Sequence, residues 1–146
     1  MAVTAYVYGN FMKNVLSGKV VDWINHPIKV MLCSSAYVPN QDLHQTKADV
    51  TGEVTGTGYI AGGAALATKT ITYDAATNAT ILDADDVVWP NATITARYAV
   101  IYDDNGATDA DKLLLGYVDF GQDISSTNGD FKIVWDAGGI FRFTTS

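Results

Sequence analysis

The stretch from Thr93 to Tyr102 alternates along its length. Successive side chains of a strand point to opposite faces, so Ile94, Ala96, Tyr98, Val100 and Tyr102 are expected on one face. Thr95, Arg97, Ala99 and Ile101 are expected on the other. Both faces turn apolar toward Tyr102, which predicts a strand covered on both sides. Ala65 to Tyr73 alternates too, with Leu66, Thr68, Thr70 and Thr72 opposed to Ala67, Lys69, Ile71 and Tyr73. Ile28 to Cys33 is a short apolar run of the kind that forms a buried central strand. Further strand-sized runs are expected at residues 2–7, Gly58 to Ala61, Ala79 to Leu82, Val87 to Trp89, Leu113 to Gly121, Asn128 to Trp135 and Gly138 to Phe143. Helical spacing occurs once. Phe11, Met12, Val15 and Leu16 give one face of a short helix over residues 9–17, and Gly18 suits the left-handed position past its end. Pro27 disfavours helix at His26, so Asn25-His26-Pro27 reads as a turn. Residues 34–47 read as a loop with one helical turn.

Short strands broken by Gly, Asn and Asp predict an all-β sandwich or barrel. No linker divides the chain, so residues 1–146 are expected to form a single domain, long enough to bury a core without staples. Residues 1–8 are available as an extended N-terminal arm.

Composition changes the picture in two ways. The formal charge of −7 argues against a nucleic-acid partner, which needs basic residues to neutralise phosphates. Charged residues make up 17%, below the roughly 25% of ordinary soluble domains, as in interfaces depleted of charge. An ordinary Thr-rich β domain fits the same numbers. The lone Cys33 sits in an apolar run and is expected to be a small buried hydrophobe. The N-terminal residues lack a secretory pattern, and no apolar run reaches the roughly 20 residues of a membrane helix. Folding in the cytoplasm, with no membrane partner, is the expectation.

Candidate chemistry is sparse. Asp103, Asp104 and Asp109, with Asp111, could hold a hard cation such as calcium. The loop lacks an EF-hand's glycine and glutamate in register, and Asp-Asn-Gly between two strands is also a hairpin signal. Asp83, Asp85 and Asp86 offer carboxylates without an assignable partner across a cleft. His26 and His44 are expected in loops, with no nucleophile motif nearby. The aromatic residues could stack on sugars or anchor an interface. The site checklist therefore points away from an enzyme, a metal centre or a cofactor.

Several blocks carry a resemblance. They are Ala2-Val3-Thr4-Ala5-Tyr6-Val7-Tyr8-Gly9 with the helix after it, Asp22-Trp23 leading to Ile28–Leu32, and Tyr37-Val38-Pro39-Asn40-Gln41-Asp42. Gly56–Gly63, Ala96–Tyr102 and Tyr117–Gly121 complete the set. With these the chain resembles the capsid decoration, or cement, proteins of tailed phages. The resemblance implies a jelly-roll-like β-sandwich on the outside of the virion, made in the bacterial cytoplasm, acting as a dimer or trimer, with the major capsid protein as partner. It carries over no site residues. The residues themselves suggest Val3, Tyr6 and Tyr8 on the arm as contacts, then Trp23 and Tyr37. A carbohydrate- or receptor-binding module of a tail or fibre, and a tail or head–tail connector subunit, are the alternative expectations.

Overall fold

The computed structural model describes residues 2–3 and 5–145. The chain is mostly β, in two sheets. In order it forms β1 (Ala2–Val3), β2 (Tyr6–Val7), helix α1 (Asn10–Leu16), β3 (Ile28–Cys33), β4 (Ala64–Ala65), β5 (Thr70–Asp74), β6 (Ala79–Asp83), β7 (Val87–Asp103), β8 (Leu114–Trp135) and β9 (Phe141–Thr144). The larger sheet runs β1-β8-β7-β3-β4, with β2 also paired to β8. The smaller runs β5-β6-β9 and is antiparallel throughout. β1 lies parallel to β8, and the other pairs of the larger sheet are antiparallel.

The long β7–β8 ribbon organises the molecule. Eleven residues separate Phe120 from Phe131, roughly 36 Å in a straight strand, yet their ring centroids are 6.1 Å apart. The ribbon therefore folds back on itself. Its register shifts between Trp89 and Ala92, Ala92 and Ile94, and Ala96 and Tyr98. Asn91 and Asn128 sit at φ 52° and 49° beside these shifts, in the left-handed region asparagine tolerates. Bulges of this kind bend a strand and increase its twist. Pro90 is accommodated at the irregularity, so Val87–Trp89 and Thr93–Tyr102 are one strand rather than two.

The fold-back encloses the main core. Leu32, Ile94, Ala99, Ile101, Leu115 and Val118 meet Trp89, Phe131, Ile133 and Trp135 there. An aromatic row ties the smaller sheet and α1 to it. Phe11 packs on Phe143, Phe143 on Phe141, and Phe141 edge-on against Trp23. Two of the three buried indoles have their N–H groups bonded to main-chain carbonyls: Trp23 donates to that of Thr70 at 2.9 Å and Trp135 to that of Asp85 at 3.1 Å.

β3 is buried and central, as its apolar run predicts. Four local expectations are corrected. The helix buries Phe11 and Asn14, while Met12 and Leu16 point outward. Gly58 to Ala61 is a turn, because Gly58 at φ 83° packs against the Ala92 backbone. Ala65 to Tyr73 is split between β4 and β5, with Thr68 at φ 55°. In β7 the bulge at Arg97 shifts the phase. Ile94 and Ala96 face the main core together with Ala99 and Ile101, not with Tyr98, Val100 and Tyr102.

Candidate functional site

That phase shift defines the second face of the larger sheet, which carries Thr93 and Thr95, then Tyr98, Val100 and Tyr102. The segment after β3 folds over the second half only. There Tyr8, Met31, Cys33, Tyr37, Val100, Tyr102 and Leu114 form a smaller core. Its polar groups are chained. His44 Nδ1 accepts the Asn40 N–H, so the Tyr37 hydroxyl, 2.8 Å away, donates to it as well. The Tyr8 hydroxyl, 2.7 Å from that of Tyr37, then donates to Tyr37. Burial pushes the Tyr37 phenol up to about 12 and raises Tyr8 further, the bond to Tyr37 adding to it. Burial likewise holds the Cys33 thiol up at about 12, so the cysteine is a packed hydrophobe, not a thiolate.

The first half of the face stays open as a trough of about 540 Å³. Thr93, Thr95, Ser125 and Thr127 form its floor, with the Thr95 and Ser125 hydroxyls 2.7 Å apart across the ribbon. Ser34, Glu53, Val54 and Thr55 form its wall. Glu53 is held in place by the Tyr59 hydroxyl at 2.6 Å and the Gly62 N–H at 2.7 Å, both donating to Oε2. Arg97 lies between the two halves, paired with Asp119 at 2.9 Å and placed over the Tyr98 ring.

The acidic loop does a different job from the one its composition suggested. Asp103 is buried against His26 Nδ1 at 2.7 Å and accepts the Asn105 N–H. Asp104 lies between Lys29 at 2.7 Å and Lys112 at 2.9 Å. Asp109 faces Lys47 and Lys112. Burial works to raise the Asp104 carboxyl, but the two lysines outweigh it and hold it below the usual range. Asp104 and Asp109 thus face lysines, Asp103 an imidazole and Asp111 the Thr108 N–H and hydroxyl, instead of a common centre. Among the described residues no group of three or more His, Cys, Asp or Glu is arranged for a metal. Asp85 and Asp86 likewise bind structural partners, the Thr68 hydroxyl and the Trp135 N–H.

Of the candidate contacts, Tyr6 is 58% exposed and Val3 is half-buried against the core. Tyr8, Trp23 and Tyr37 are buried and cannot present a surface in this conformation, which corrects their selection as contacts. Large aromatic rings gain more from the core than from solvent, and here their polar ends are bonded inside it. The arm is not loose where it is described: Tyr6 pairs with Tyr117 and Val7 with Gly116, while Val3 pairs with Trp135. Met1 and Thr4 lie outside the described residues. The trough was not anticipated. The alternation of Thr93 and Thr95 was its only sequence signal, and Ser125 and Thr127 join it through β7–β8 pairing. Compared with protein families, curated proteins and solved structures, the chain matches none.

Proposed function

We propose that this chain is a non-enzymatic structural protein of a tailed-phage virion, a decoration or cement subunit that binds the outer capsid surface and bridges major capsid protein subunits. The two sheets around a shared core support a jelly-roll-like sandwich. One observation carries the reading. Among the described residues, seven of the eleven large apolar side chains left exposed lie between Tyr6 and Leu43. Tyr6 sits on the N-terminal segment, Met12 and Leu16 on α1, Val20 just beyond it, and Val38 and Leu43 on the 38–43 loop. These pieces are bound to one another. Gly9 N–H donates to the Gln41 carbonyl at 2.8 Å, Asn10 Nδ2 to that of Asp42 at 2.8 Å and Gln41 Nε2 to that of Val7 at 2.7 Å. The result is one braced surface with apolar residues outward, suited to another protein.

Such a subunit acts by linkage: whatever binds the assembled shell and not its separated subunits stabilises the shell. Weak contacts repeated over many equivalent positions add through avidity. The test is co-sedimentation of the purified protein with mature shells lacking it. Saturable binding at a fixed ratio to coat subunits, with raised resistance of the shell to heat, is the expected result. No binding to intact shells removes the reading. For the alternative of a carbohydrate-binding module that stacks sugars on exposed Tyr and Trp, Trp23, Trp89 and Trp135 are buried, whereas Tyr6 and Tyr73 are exposed.

A further inference from the structure

We propose that the trough beside Arg97 is a binding site for a neutral saccharide of one or two rings. The trough has the shape of a small-ligand site. β3 pairs with β7 as far as Cys33 opposite Tyr98, and the next partner on that edge is Thr57, bridged to Thr93. Between them Ile94 to Arg97 have no strand partner on that side among the described residues. The Thr93 N–H donates to the Thr57 carbonyl at 2.9 Å, and alternation places the Thr95 main chain on the same edge, facing the gap. The gap is only about 13 Å long and closed at both ends by pairing, so it excludes an added strand lengthwise. A volume of about 540 Å³ falls within the roughly 300–1,000 Å³ of small-ligand pockets.

Its lining is rich in hydroxyls. Ser34, Thr55, Thr95, Ser125 and Thr127 offer hydroxyls, a group that can both donate and accept, while the Thr93 hydroxyl is engaged with Asn128. Saccharide hydroxyls have the same dual character. The Thr95–Ser125 bond uses one proton of the pair and leaves the other, with lone pairs on both oxygens. Both hydrogen bonds that fix the Glu53 carboxylate fall on Oε2, so Oε1 can take a ligand hydroxyl. Among the described residues no Lys, Arg or His lines the trough, and the chain carries a net charge of −7. An anion would meet the Glu53 carboxylate in the trough, and Arg97 beside it is already paired with Asp119. No aromatic ring lines it either, so binding rests on hydrogen bonds and is expected to be weak, in the millimolar range.

The test needs only the isolated 146-residue chain, so it stands apart from the capsid reading. The ¹⁵N-labelled chain is titrated with glucose, galactose, mannose, N-acetylglucosamine, maltose and diacetylchitobiose, with digalacturonate as the anionic control. Saturable amide shifts confined to Glu53–Thr55, Thr93–Arg97 and Ser125–Thr127 are expected with at least one neutral sugar, and weaker ones with digalacturonate. Thr95→Val and Ser125→Ala remove exposed hydroxyls and should each weaken binding about tenfold, with an unchanged melting temperature. The proposal is overturned if no neutral sugar shifts these amides, if the anion binds as well, or if both variants bind like the parent. Shifts at these amides produced only by an extended hexapeptide would assign the gap to a polypeptide instead, and also overturn it.

Discussion

Tyr37 places its hydroxyl between the Tyr8 hydroxyl and His44 Nδ1, at 2.7 and 2.8 Å, so one oxygen satisfies two buried or half-buried partners. Tyr37→Phe strands the Tyr8 hydroxyl in the smaller core and should cost about 1–3 kcal/mol in urea unfolding. Tyr8→Phe leaves the Tyr37–His44 bond intact and should cost less. The double variant should fall short of the sum of the two, and an additive result would deny the chain of bonds. His26 presents the same logic with charge. His26→Ala leaves the Asp103 carboxylate buried without its partner, an expected loss of about 3 kcal/mol that Asp103→Asn should partly restore. Both histidines were legible as loop residues. Their partners were not, since Asp103 reaches His26 only after β3 and β7 have paired at Ile28 and Asp103.

At the scale of the element, alternation was legible and its interruptions were not. Burial at every second residue of β7 is what the sequence pattern requires, but the bulge at Arg97 exchanges the two faces beyond it. A bulge depends on what the neighbouring strand supplies, and β8 carries extra residues there around Gly121, at φ 79°. The bends at Asn91 and Asn128 are testable on the same ground. Valine resists the left-handed region, so Asn91→Val or Asn128→Val should cost about 1–2 kcal/mol, while glycine at either position should be nearly neutral. Equal melting temperatures for the valine and glycine variants would contradict a bend set by backbone conformation. Gly63 is the strictest case. It has φ 85°, and a methyl group there would overlap the Val30 carbonyl oxygen, so Gly63→Ala should pull β4 away from β3 and lower the melting temperature measurably.

Whole-molecule behaviour should show at high pH. Tyr8, Tyr37, Tyr59 and Tyr102 all have phenols raised above 10, with burial the largest cause in each. A raised folded value means that the stabilisation is complete below pH 10 and is lost as the pH climbs. The unfolded chain then ionises where the folded one resists. Each such phenol should remove about 1.4 kcal/mol per pH unit above 10 until its folded value is reached. Unfolding and tyrosinate absorbance should therefore rise together in one steep transition. A gradual rise in absorbance on a still-folded protein would show these phenols to be accessible. The exposed apolar surface offers the complementary test of function. Leu16→Glu with Val20→Glu alters side chains that are 79% and 74% exposed, so the fold should keep its melting temperature while shell binding is lost.

The sequence by itself determined the β class, the single short helix, the central place of Ile28–Cys33 and the burial of Cys33. These follow from periodicity and side-chain chemistry, which act over a few neighbouring residues. The tertiary structure alone decided that one ribbon folds back to close the core and that the acidic loop pairs with lysines. It also decided that most of the aromatic candidates turn inward and that Ser125 and Thr127 join Thr93 and Thr95 in one trough. Each of these depends on strand register and bulges, which are set by partners far along the chain and leave little local trace.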